Sequence, residues 1–167
     1  MCLISMLLFA LLLIALGYNR FLRKQLAVRV EEEYRVDLTC QAHIRLKLVL
    51  ARWVELKSKN KEVASYLRKH GINRVAIYGV SDVGETLWKD LEATGIEVVC
   101  GIDRAKAPMG REVRIPERFE EDVDAIIVTP IYFFSEIFNQ LNQRLNGRIP
   151  ILGLDEIVFE LCSELEE

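Results

Sequence analysis

Residues 74–84 read Arg-Val-Ala-Ile-Tyr-Gly-Val-Ser-Asp-Val-Gly, and they indicate the fold that we expect for most of the chain. The first five residues have the apolar, β-branched character of a strand, and Gly79 then marks a turn. A helix is expected to begin directly after this turn. A strand, a glycine turn and a helix in this order are typical of the first unit of a Rossmann-like parallel sheet.

The sequence after this unit continues to alternate between strand and helix patterns. Continuous apolar runs at residues 97–102, 124–129 and 149–152 have the character of strands buried in a parallel sheet. Residues 112–115 add a short strand. We therefore predict an α/β fold whose Rossmann-like parallel sheet has about five strands in the order 3-2-1-4-5.

The predicted organisation has three parts. Residues 1–20 are expected to form a transmembrane anchor, residues 21–70 juxtamembrane and connecting helices, and residues 71–162 the Rossmann-like α/β domain. Residues 2–18 form an apolar run without a charge, which as a helix would be roughly 25 Å long, the short end of a bilayer span. Arg20, Arg23 and Lys24 follow at once, so this flank is expected on the cytoplasmic side.

This interpretation predicts a single-pass protein of the cytoplasmic membrane, with its globular domain facing the cytoplasm. Basic residues after the span would contact the inner leaflet. Two alternatives stay open: residues 1–20 as a cleaved signal peptide, or as the last span of a longer membrane protein.

Composition excludes several classes of function. The formal net charge is −3 and the pI is about 5.6, which gives no reason to expect a nucleic-acid partner. Four cysteines lie far apart and only two histidines occur, so no metal site is predicted. No Ser-His-Asp or Cys-His arrangement can be assembled, and the catalytic residues, if any, are unknown.

A ligand site is expected at the carboxyl ends of the first and fourth strands, where the strand order reverses. Gly79 would allow the tight turn and Gly84 the close approach of the helix. Asp103 ends the second strand, where a carboxylate can accept hydrogen bonds from ribose hydroxyls. The predicted nucleotide-binding residues are Gly79, Ser81, Asp82, Gly84, Asp103, Arg104, Thr129 and Tyr132.

The same sequence contains an objection to phosphate binding. Asp82 and Glu85 have the spacing of an Asp-x-x-Glu capping box, whose carboxylate would occupy the N–H groups that a phosphate uses. Arg104 could offset this negative charge. Two interpretations of the turn therefore stay open, a nucleotide site and a self-capped helix, and Asp103 could contact a ligand or cap its own loop.

From residue 53 to 161 the chain resembles a family of small Rossmann-like domains in bacterial surface-polysaccharide gene clusters. The resemblance is carried by short segments: Val75-Ala76-Ile77-Tyr78-Gly79 with Gly84, Gly101-Ile102-Asp103, residues 124–129 (Asp-Ala-Ile-Ile-Val-Thr), and Ile149-Pro150-Ile151-Leu152. These domains are similar to the nucleotide-binding part of nucleotide-sugar epimerases and sugar acyltransferases. The resemblance implies a bacterial protein that binds a nucleotide, such as NAD(P), or a nucleotide-sugar.

Three functions are consistent with these observations. The first is a membrane-anchored nucleotide or nucleotide-sugar binding module in cell-envelope polysaccharide biosynthesis. The second is a ligand-free Rossmann scaffold that recruits a glycosyltransferase or similar enzyme to the membrane. The third is an NAD(P)-dependent enzyme that modifies a nucleotide-sugar. The missing catalytic pair and the small size of the chain are arguments against this third function.

Overall fold

A computed structural model describes residues 2–104, 112–120 and 122–165, with side chains from Leu16 onward. The chain divides into two compact units, Met1–His43 and Ile44–Glu167. The helices are α1 (Cys2–Ser58), α2 (Val63–Lys69), α3 (Asp82–Ala93), α4 (Phe134–Leu145) and α5 (Leu154–Ser163). The strands are β1 (Arg74–Tyr78), β2 (Glu97–Ile102), β3 (Val113–Arg114), β4 (Ala125–Val128) and β5 (Ile151–Gly153), and short 3-10 helices cover Pro116–Arg118 and Ile131–Phe133.

The first unit consists of the α1 residues up to His43. Among the residues that the structure describes, no helix combines the length and the apolar character that crossing a membrane requires. The predicted transmembrane anchor at residues 1–20 is therefore wrong, and so is the predicted single-pass location in the cytoplasmic membrane. Charged side chains recur from Arg20 onward, which leaves no apolar stretch of span length in the part of α1 with described side chains. The side chains of residues 1–15 lie outside the described part.

The second unit is built on a five-stranded sheet in the order β3-β2-β1-β4-β5. Each neighbouring pair is parallel; β1 pairs with β2 on one side and with β4 on the other. The α/β class, the parallel sheet and the strand order are as the sequence predicted. The edge strand β3 is two residues long, shorter than the predicted strand at residues 112–115.

Alternating side chains of β1 divide the core into two layers. Val75 and Ile77 belong to a buried cluster with residues of α2, α3, α5 and the last turns of α1. Ala76 and Tyr78 belong to a second cluster, which contains the apolar face of α4 and Phe119. This two-residue period is the geometry of a strand that is covered on both faces.

The two layers create a switch point next to β1. The helix that follows β1, α3, packs on one face of the sheet, and the helix that follows β4, α4, packs on the other. The loops after β1 and β4 therefore diverge at the carboxyl edge of the sheet. A crevice at such a position is the usual ligand site of an open parallel sheet.

Candidate functional site

The turn after β1 is held by close packing around two glycines. Gly79 has a φ of 89°, in the region that glycine adopts most readily, and its N–H donates to the Ile102 carbonyl at 2.9 Å. A Cβ atom on Gly84 would lie 1.9 Å from the Gly79 carbonyl oxygen. A Cβ on Gly79 would lie 2.6 Å from the Pro130 ring. Both glycines therefore have the structural roles that the sequence predicted.

Thr129 fixes this turn from the side of β4. Its side chain is almost fully buried, with 4% exposed. The hydroxyl Oγ1 donates to the Gly79 carbonyl at 2.7 Å and lies 3.2 Å from the Tyr78 carbonyl. The Thr129 N–H also donates to Tyr78 O, at 3.0 Å. The hydroxyl proton of Thr129 is thus used within the fold, and contact between this residue and a ligand stays a prediction.

Asp103 fixes the same turn from the side of β2. Its Oδ2 atom accepts a hydrogen bond from the Val80 N–H at 2.9 Å. This is the loop-capping role that the sequence left open as one of two alternatives. A hydrogen bond from a ribose hydroxyl to Asp103 stays a prediction.

The start of α3 differs from the predicted capping box. The N-cap residue is Ser81, and its side chain makes no capping hydrogen bond. Asp82 is already the first helical residue, so the predicted Asp82–Glu85 capping box is wrong. Glu85 instead forms an ion pair with Lys89, with Oε1 and Nζ 2.8 Å apart. The first N–H groups of α3 therefore lie beside the crevice without a cap from the Ser81 side chain, although Asp82 and Glu85 place negative charge in the first turn.

Arg104 and two aromatic residues lie on the rim. The Arg104 guanidinium pairs with Glu117, with Nη2 and Oε1 3.1 Å apart. Tyr132 is 40% exposed and Phe133 is 56% exposed, and their rings meet edge to face with centroids 5.3 Å apart. An exposed aromatic pair of this kind offers a surface on which a base could stack. Phe133 was not among the predicted site residues, although its position next to Tyr132 would have indicated it.

Tyr78 is a further residue that the sequence did not assign to the site. It is the last residue of β1, and its side chain packs with the cluster on the α4 side of the sheet. Partial burial raises the pKa of its hydroxyl. The positive charge of Arg104 opposes this shift, and the negative charges of Asp103 and Glu117 add to it. Tyr78 therefore stays protonated at neutral pH and can donate a hydrogen bond at this edge.

The structure brings only some of the predicted site residues into contact. Gly79, Gly84 and Thr129 touch one another, and Asp103 joins them through Val80. The other predicted residues lie on the flanking loops: Ser81 and Asp82 at the start of α3, and Tyr132 in the 3-10 helix after β4. Within the described ranges, no three His, Cys, Asp or Glu side chains are grouped so that they could hold a metal ion.

Comparisons of the chain with models of known protein families, with curated proteins and with solved structures found no match.

Proposed function

We propose that the second unit, Ile44–Glu167, binds a nucleotide or nucleotide-sugar at the carboxyl edge of its sheet and serves as a binding module in cell-envelope polysaccharide biosynthesis. One observation carries the proposal: α3 begins at the switch point of the sheet, and the side chain of its N-cap residue, Ser81, does not cap the first turn. The N–H groups and the positive end of the helix dipole at this position favour an anion.

The other parts of the nucleotide have partners on the same rim. The phosphates would accept hydrogen bonds from the first N–H groups of α3. The exposed rings of Tyr132 and Phe133 would stack with the base. Arg104, whose guanidinium is exposed beside Glu117, would offset the charge of Asp82 and Glu85 when phosphate approaches. The assignment to polysaccharide biosynthesis comes from the family resemblance alone.

The experiment is a calorimetric titration of the full chain with UDP-glucose, UDP, NAD and NADP. The variant is Ser81→Asp, because aspartate is a favourable N-cap that occupies the helix N–H groups and repels phosphate. We expect saturable binding of one class of nucleotide to the wild-type chain and at least a tenfold weaker affinity of Ser81→Asp, whose melting temperature should not fall.

Asn60→Asp is the matched control, because it adds one carboxylate at an exposed position outside the crevice. Asn60 has a φ of 57°, a conformation that aspartate also tolerates, so this change should fold normally and bind like the wild-type chain. An unchanged affinity of Ser81→Asp would contradict the proposed phosphate position. Absence of binding by the wild-type chain would contradict nucleotide binding itself.

A second candidate is a ligand-free scaffold that binds a glycosyltransferase or similar enzyme. The observation in its favour is that groups of the protein already fill the turn: Asp103 accepts from the Val80 N–H, and Thr129 donates to the Gly79 carbonyl. This function predicts no nucleotide binding. It also predicts that a glycosyltransferase binds the chain and co-purifies equally well with the wild type and with Ser81→Asp.

A further inference from the structure

A second cleft lies at the opposite edge of the sheet, where β4 and β5 begin. Its volume is about 590 Å³, within the usual range for small-molecule sites. Phe119, Glu120, Asp122 and Val123 line one side, and the end of α4 with the connection to β5 lines the other. The nucleotide site proposed above lies at the carboxyl ends of the strands, so the two sites are distinct.

One of the charged residues that line this cleft is Arg144, near the end of α4. Its Nη2 atom donates to the Phe119 carbonyl at 3.3 Å. Its Nη1 atom is buried and has no hydrogen-bond partner among the residues that the structure describes. A guanidinium group stays charged at any physiological pH, so a buried N–H without an acceptor is unfavourable. An oxyanion in the cleft would supply the missing acceptor.

A second guanidinium group lines the same cleft. Arg148 is exposed, and its Nε atom donates to the Leu145 carbonyl at 3.1 Å. Two guanidinium groups on one wall can hold the oxygens of a phosphate, a group that matches their planar donor geometry.

Carboxylates on the facing wall restrict the kind of ligand. Glu120 and Asp122 line this side, and Asp122 is partly compensated by Arg74, whose Nη1 lies 3.5 Å from Oδ2. Carboxylates accept hydrogen bonds from hydroxyl groups and repel a second anion. The cleft therefore favours a molecule with a phosphate at one end and hydroxyl groups at the other.

We propose that this cleft is a binding site for a small phosphorylated, hydroxyl-rich molecule of the sugar-phosphate class. The phosphate oxygens accept hydrogen bonds from Arg144 Nη1 and from Arg148, and the hydroxyl groups donate to Glu120. The proposal does not depend on nucleotide binding at the other edge of the sheet.

The test is a calorimetric titration of the full chain with glucose 6-phosphate, inorganic phosphate and glucose at millimolar concentration. We expect saturable binding of glucose 6-phosphate, weaker binding of phosphate alone and no binding of glucose. Arg148→Gln should weaken the binding of glucose 6-phosphate about tenfold or more, because the loss of one charge-assisted hydrogen bond typically lowers an affinity by this factor. Arg148 is exposed, so this variant is expected to fold even if Arg144→Gln does not.

Arg68→Gln is the matched control, because Arg68 is an exposed arginine of α2 outside the cleft. It should bind glucose 6-phosphate like the wild-type chain, and so should Ser81→Asp, which alters only the opposite edge. Equal weakening by Arg68→Gln and Arg148→Gln would show attraction by net charge and overturn the proposal. Absence of saturable binding by the wild-type chain would also overturn it.

Discussion

Gly84 is the residue at which the structure leaves least room. The Cβ of an alanine there would lie 1.9 Å from the Gly79 carbonyl oxygen, a backbone atom that cannot move without opening the turn. We expect Gly84→Ala to lower the free energy of unfolding by about 1–3 kcal/mol, the usual effect of overpacking. Urea denaturation measures this change. The control is Gly17→Ala in α1, where nothing lies within 4 Å of the added carbon and no loss of stability is expected.

Thr129 contributes through its hydroxyl group. Thr129→Val keeps the shape of the side chain but removes the donor to Gly79 O, so a buried carbonyl loses a partner. We expect a loss of about 1–2 kcal/mol in the free energy of unfolding. Thr86→Val is the matched control, because the Thr86 hydroxyl donates to Asp82 O on an exposed helix turn. Equal losses of stability in both variants would show that the buried hydrogen bond of Thr129 contributes no more than the exposed one of Thr86.

The sequence predicted single residues well where their role is local. A glycine after a strand is recognisable because its backbone freedom is needed there, and both Gly79 and Gly84 have the predicted role. The contacts of Thr129 and Asp103 could not be derived in the same way. Each joins residues more than 20 positions apart, and local patterns contain no information on such pairs. The loop-capping role of Asp103 could therefore only be named as an alternative.

At the scale of elements, Asp124 joins the start of β1 to the start of β4. Its Oδ2 atom accepts from the N–H groups of Asn73 and Arg74, both at 2.8 Å. These hydrogen bonds, the first of them from Asn73, hold the pKa of Asp124 below its ordinary value of 3.8. Since the folded pKa is the lower one, the stabilisation is complete above the unfolded value and is lost as the pH falls through the folded pKa.

We therefore expect Asp124→Asn to lower the free energy of unfolding at neutral pH, because the charged acceptor of the two hydrogen bonds is lost. The expected loss is only about 1 kcal/mol, because solvent screens this exposed carboxylate. The difference between wild type and variant should shrink as the pH falls below 3.8. Urea denaturation at a series of pH values measures it. Asp122→Asn, a change at a fully exposed neighbour, is the control. A difference that stays constant down to acid pH would contradict this role of Asp124.

The start of α3 shows why element boundaries were harder to predict than the elements themselves. Ser81 and Asp82 are both favourable N-cap residues, so local preference does not choose between them. The structure begins the helix at Asp82, one residue earlier than the predicted capping box required. A shift of this size decides whether a carboxylate or a serine stands at the cap, and with it whether the N–H groups are available to a phosphate.

At the scale of the whole molecule, the last turns of α1 belong to the core of the second unit. Val49, Trp53 and Leu56 are buried in the cluster that also contains Val75 and Ile77. We expect Trp53→Ala to lower the free energy of unfolding by about 3–5 kcal/mol. The control is Val54→Ala, since Val54 is 70% exposed on the same helix and should change stability little. Similar effects of the two changes would contradict the packing described here.

The global architecture could be predicted because strong, simple rules govern it. Buried parallel strands have continuous apolar sequences, and right-handed crossovers leave few possible strand orders. The predicted order matches the structure. The predicted membrane anchor rested on one apolar run, and it is overturned because no helix of the described residues is both long and apolar enough to cross a membrane.

The most direct test of nucleotide binding is an amide NMR titration of the full chain with UDP-glucose. Binding at the first turn of α3 predicts the largest chemical-shift changes at the N–H groups of Ser81, Asp82, Val83 and Gly84, with further changes at Tyr132 and Phe133. The same titration of Ser81→Asp should leave these signals in place. The proposed function would be contradicted if no signal shifted. It would also be contradicted if signals shifted elsewhere while those of residues 81–84 stayed unaffected.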